Sequence, residues 1–194
     1  AERKAATFLL GDNLERTTQG GGIYTYTSQQ GAAAFRDTGS FDAAGSLSQE
    51  NAEAFCRDFC KAFSYDTPIF TLDETGSGTA TAVRLWSGTP VFNAAVTFTI
   101  DQGRVLSASG ALLPETGAET SSGQKPLSAF AALTAFQQMR HASSSVVSSI
   151  TEVSLCYELQ STTAAPMALV PSWRIVTDTA TFYVNCISGT VRRA

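Results

Sequence analysis

Between residues 68 and 113 the chain reverses at Gly76-Ser77-Gly78, at Ser87-Gly88-Thr89-Pro90 and at Asp101-Gln102-Gly103. The runs between these turns are rich in Val, Ile, Phe and Thr, the residues that suit a pleated, half-buried surface. A parallel crossover needs a dozen residues or more, so turns this short permit only an antiparallel meander. The predicted strands cover 68–72, 79–86, 91–100 and 104–113. Ahead of them, Ile23-Tyr24-Thr25-Tyr26-Thr27 alternates as a strand should. Gly31 is placed in a turn, and residues 32–41 are predicted to return as the second arm of a hairpin.

A helix is predicted between hairpin and meander. Ala52, Phe55, Cys56, Phe59, Cys60 and Phe63 recur at the helical period and form one apolar stripe. Ser46 with Gln49 three residues later has the form of a capping box and is predicted to open this helix. A second helix is predicted from Pro126 to about His141, with Ala129, Ala132, Leu133, Phe136 and Met139 on one face. A second meander follows, through residues 149–160, 167–170 and a closing hairpin over 171–191.

The expected architecture is α+β, with two similar lobes, each an antiparallel sheet with one helix packed across it. Residues 1–22 read as a leader behind an N-terminal anchor that precedes the chain. Residues 23–113 form the first lobe, 114–125 a Gly-, Thr- and Ser-rich linker, and 126–194 the second lobe.

With 43% apolar and 15% charged residues, the composition suits a folded chain rather than a disordered one. The net charge of −4, with only Lys4, Lys61 and Lys125 as lysines, argues against a nucleic-acid partner. No apolar run reaches the ~18 residues of a membrane span. Abundant Ser, Thr, Ala and Gly favour a location outside the cytoplasm.

Reactive groups are sparse. His141, the single histidine, falls at a predicted helix C-terminus, where the helix dipole favours a cationic side chain, and a capping role is preferred to catalysis. Asp37-Thr38-Gly39-Ser40 spells an aspartic-protease loop, but that chemistry needs two carboxylates sharing a proton. The nearest second copy, Asp178-Thr179-Ala180, lacks the glycine, so a hairpin turn is expected at 37–40. Cys56 and Cys60 are spaced to chelate from one helix face, yet both lie on the phenylalanine stripe and are expected as buried thiols without metal. A Cys156–Cys186 bridge stays open on strand parity, with free thiols the expected state. Asp73-Glu74 is expected as a solvated turn. No catalytic residue, cofactor or metal is predicted. Among the strand aromatics, Trp86, Trp173 and Tyr183 are the candidate contact residues, with Phe92 a further large ring.

Pro171-Ser172-Trp173-Arg174-Ile175, then Phe182-Tyr183-Val184-Asn185 and Ser188-Gly189-Thr190-Val191, resemble the closing hairpin of PepSY-type domains. Gly88 to Asn93, Phe98 to Gly103 and Val105 to Gly110 are similar to the matching strands of that class. The resemblance spans about residues 68–191 and is nearest to the extracytoplasmic regulators of the YycI/YycH type. It implies a non-catalytic, membrane-anchored binding module that restrains a two-component sensor kinase by protein contact. The alternative it implies is a PepSY-type propeptide or inhibitor of a secreted metallopeptidase.

Overall fold

The computed structural model describes residues 1–48, 51–114, 125–143, 146–161 and 167–194. In chain order the first elements are α1 (Glu2–Leu10), β1 (Glu15–Gly20), β2 (Ile23–Ser28), β3 (Gly31–Arg36), β4 (Ser40–Gly45), α2 (Ala52–Ala62) and β5 (Ile69–Leu72). Then come β6 (Gly78–Trp86), β7 (Thr89–Asp101), β8 (Arg104–Ala111), α3 (Ala129–Ser143), β9 (Ile150–Gln160), β10 (Ala168–Thr177), β11 (Thr181–Asn185) and β12 (Val191–Arg193). The fold is α+β, with one large mixed sheet and three helices. None of these helices is long and apolar enough to cross a membrane.

The sheet runs β1-β2-β3-β4-β8-β7-β9-β10-β11-β12, with β6 on the other edge of β7 and β5 beyond it. The meander forms as its turns require. In the first half, two boundaries differ from the sequence reading. Asp37-Thr38-Gly39 is itself a turn, so 32–41 splits into β3 and β4. The amides of Leu47 and Ser48 donate to the Val105 carbonyl, which holds that segment extended beside β8. α2 therefore begins only at Ala52. Its N-cap is Asn51, in the left-handed region at φ 52°, accepting from the Ala54 amide at 3.0 Å. Gln49 lies outside the described residues.

The stripe on α2 packs as its period demands. Cys56, Phe59, Cys60 and Phe63 are buried against Phe35, Phe41, Phe98, Ile100 and Val105 of the sheet. Phe55 is only half-buried. Residues 1–22, expected as a leader, supply an edge strand and α1. That helix buries Ala5, Ala6, Leu9 and Leu10 in the same core. The Phe8 ring meets Phe55, Phe59 and Phe63 edge-on, with centroids 5.3, 5.4 and 6.0 Å away. Two helices rather than one therefore cover this half. The other face of its central strands is a layer of hydroxyls. Thr79, Thr99 and Ser107 lie in one row across β6, β7 and β8, and Thr81, Thr97 and Ser109 in the next.

In the second half, α3 begins at Ala129 rather than at Pro126, after a short lead, and lays Ala132 and Phe136 over Ile175, Phe182 and Val184. β10 is a single strand through Pro171, and the closing hairpin continues past Ser188-Gly189 into β12, making a third strand. The 114–125 linker falls almost wholly outside the described residues.

Phe59 is enclosed by the rings of Phe8, Phe41, Phe63, Tyr65 and Phe98. Phe59→Ala should cost about 3–5 kcal/mol in chemical denaturation. Half-buried Phe55→Ala should cost clearly less, and equal losses would show that the stripe is packed differently.

Candidate functional site

The groups singled out for chemistry lie apart. His141 is exposed in the last turn of α3 with Arg140. Gly39 closes the β3–β4 turn at φ 84°, where an added Cβ would come within 2.5 Å of the Leu112 carbonyl oxygen. Thr38 and Ser40 hydroxyls bond each other at 3.1 Å, and Arg36 pairs with Asp42 at 2.6 Å. Asp178 accepts from the Ser148 amide at 3.1 Å, tying the approach to β9 onto the β10–β11 turn. Asp73 accepts from the Thr75 hydroxyl and from the Ser77 and Thr75 amides, and these bonds hold its carboxyl below the ordinary value. Asp73 is thus occupied in shaping its own turn, while Asp42 and Asp178 are spent on contacts between neighbouring segments.

The four cysteines are buried free thiols. Burial pushes Cys56, Cys60 and Cys156 up to about 12, and Cys186 upward as well. Protonated thiols are poor nucleophiles and poor metal ligands. Cys156 lies on β9 and Cys186 just past β11, with β10 between those strands. Two strand spacings, ~9–10 Å, exceed the reach of a disulfide.

What the structure does concentrate is polar and aromatic contact at the junction of the two halves. β7 pairs with β6 from Val83↔Ala95 up to Gly78↔Ile100, then resumes at Arg84↔Val91, so Phe92, Asn93 and Ala94 are skipped. This bulge frees the strand's opposite edge to leave β8 and meet β9, in a parallel bridge at Val91↔Tyr157. Asn93 extends the bridge with its side chain. Its Nδ2 donates to the Leu159 carbonyl and its Oδ1 accepts from the Leu159 amide, both at 2.7 Å. An amide side chain here replaces a neighbouring main chain.

Phe92 stacks on Tyr183 with centroids 3.6 Å apart. Arg192 lies over Phe92 at 5.3 Å and pairs with Glu158 at 2.9 Å. A small core of Val91, Ala94 and Leu113, with Trp86, Tyr157 and Leu159 against it, seals the junction. Close by, buried Arg84 donates to the carbonyls of Phe63, Ser64 at 2.7 Å and Leu113 at 3.4 Å, beneath the Tyr65 ring. It thereby ties the end of α2 to the end of β8. A cation is favoured by the carbonyls at a helix C-terminus.

The three candidate contact aromatics are therefore distributed. Trp86 packs in the junction core, and Tyr183 stacks across the junction. Trp173 packs beneath α3, its Nε1 donating to the Leu127 carbonyl at 2.9 Å. Trp173 and Tyr183 project to opposite faces of the sheet, since Trp173 pairs with Val184 and Arg174 with Tyr183. All three are half-buried. Asn93 and Arg84 were missed from the sequence. The signal for each was a residue out of place: an asparagine inside a strand of β-formers, and an arginine at the inward parity of Ala80 and Ala82.

No family model matches the chain, and no curated protein matches its sequence. Among solved structures, the chain is similar to the Bacillus megaterium YpeB C-terminal domain, at 14% identity over 99% of this chain and 95% of that one, with a TM-score of 0.45. An uncharacterised protein from Eubacterium rectale is 12% identical over 98% of this chain and 75% of its own, with a TM-score of 0.52. The second similarity shows a shared fold.

Asn93→Ala leaves the Leu159 amide and carbonyl without these partners and should cost about 1–3 kcal/mol by denaturation. An unchanged midpoint would show that the junction does not rely on Asn93. The thiols make a separate prediction. Unfolded thiols ionise near 9 while Cys56, Cys60 and Cys156 hold their protons to about 12. Across that window the unfolded chain binds fewer protons, so stability should fall as pH rises above ~9. Melting temperatures near neutral and at about pH 10.5 test this, and a flat profile would contradict it. In parallel, a thiol reagent near neutral pH should label the cysteines only after denaturation.

Proposed function

We propose that this chain is a non-catalytic binding module that acts outside the cytoplasm, at the membrane surface, through protein contact. Its two halves are read as PepSY-like lobes, most like the YycI/YycH-type regulators, and the partner as a membrane sensor kinase. The reading is supported first by the shape of the first half. α1 and α2 bury one face of its sheet, and the opposite face is a wide layer of Thr and Ser carrying little charge. Such a face with open strand edges is suited to contact rather than to enclosing a small substrate. The thiols support it further, because each is sealed in a core, and the Asp73 carboxylate is spent on its turn. The resemblance of the 171–191 hairpin to PepSY domains supplies the choice of partner.

The test is to titrate the purified chain against sensor kinases from its own genome, in liposomes, and to follow autophosphorylation. Saturating chain should lower the signal of one kinase several-fold. If no kinase responds and a secreted metallopeptidase is inhibited instead, the regulator reading gives way to the propeptide one.

A further inference from the structure

We propose that the open edge of β9, over residues 150–155, receives an extended segment of the partner protein by strand addition; this rests on the protein-contact reading above and locates it.

β9 pairs with β10 along its length but with β7 only at Tyr157. Among the described residues, nothing pairs with its other edge from Ile150 to Leu155. That edge carries a row of main-chain donors and acceptors available to a further strand. Its side chains are apolar on the face shared with Trp173 and Ile175: Val153 pairs with Ile175 and Leu155 with Trp173. α3 packs toward β11 and β12 and leaves this end of the face open. Ile150, Val153 and Leu155 are 42%, 36% and 43% exposed.

The other free edges differ. β1 is Glu-Arg-Thr-Thr-Gln-Gly and exposed throughout, β12 is three residues with two arginines, and β5 is four residues long. Short length and charge are the usual guards against unwanted pairing. The β9 edge has neither lysine nor proline; its one charge, Glu152, is paired with Arg174, and its one irregularity is a skipped residue at Thr151.

The occupant follows from area and charge. The three exposed side chains leave on the order of 200 Å² of apolar surface, well below the ~800 Å² per partner of a stable complex of folded surfaces, so a second copy is disfavoured. An extended segment draws its affinity from main-chain hydrogen bonds instead. Across the edge on the opposite face stands Glu152, 2.8 Å from Arg174 and half-exposed. The complementary segment thus alternates apolar residues toward Val153 and Leu155 with polar ones toward the Glu152–Arg174 pair.

The probe is a capped decapeptide alternating valine with threonine and lysine. Its control is the same peptide with alternate amides N-methylated, which keeps the side chains and removes the donors. The whole chain is used, and amide hydrogen exchange is read by residue. The alternating peptide should slow exchange within residues 150–156, and N-methylation should weaken binding at least tenfold. Val153→Lys with Leu155→Lys should do the same while leaving the melting temperature nearly unchanged. Protection of β1 or β5 instead, or indifference to both N-methylation and the double variant, overturns the proposal. Concentration-dependent protection of β9 without peptide overturns the choice of occupant in favour of a second copy. In the kinase titration, full inhibition by the double variant would sink the edge proposal and keep the regulator reading. Peptide capture at β9 with no kinase response would do the reverse.

Discussion

β7 has more neighbours to satisfy than a straight strand can reach. Over Val96–Ile100 it lies between β6 and β8, and the antiparallel ladder on both sides fixes its pleat. At Val91 its neighbours are β6 and β9. One edge must therefore part from β8 and take up a strand running the other way. The skipped triplet Phe92-Asn93-Ala94 makes that exchange, and each residue of the triplet serves a different layer. Ala94 enters the junction core, Asn93 mends the ladder, and Phe92 seats the Tyr183 ring. Without the bulge, the pairing of β6 with β7 would run on straight and β9 would have no main chain to meet.

Arg84 stands one residue beyond the same bulge and fixes the layer above. A buried guanidinium is costly unless its donors are matched. Here they gather carbonyls from just past the end of α2 and just past the end of β8. Tyr65 adds a bond from its hydroxyl to the Ala111 carbonyl at 2.6 Å. Helix, meander and junction are thereby held in register by polar contacts inside an otherwise aromatic core.

Patterns that repeat along the chain were legible in the sequence. The α2 stripe and the four meander strands were placed within a residue or two, because burial of one face imposes a period that neighbouring residues share. Relations between distant segments were not. The N-cap was read at Ser46 because its motif is sound locally, but β8 competes for the same backbone and holds it extended. The DTGS motif proved to be a turn, as glycine at positive φ suggests. The parallel contact of β7 with β9 joins segments more than sixty residues apart, and no local period encodes it. Of the site, the aromatic residues were visible as types, but their assignment to opposite faces depends on the bulge and on the register of β10. Arg84 and Asn93 were visible only as exceptions to their strands.

The sealed cysteines carry a consequence for biogenesis. All four sit where oxidants have no path once the layers close. A thiol capped earlier, as a mixed disulfide or sulfenic acid, would carry bulk into sites beside Phe59 or beneath Ser172 that have no room for it. In an oxidising compartment, folding of this chain would thus be a race between collapse of its layers and chemistry at its sulfurs.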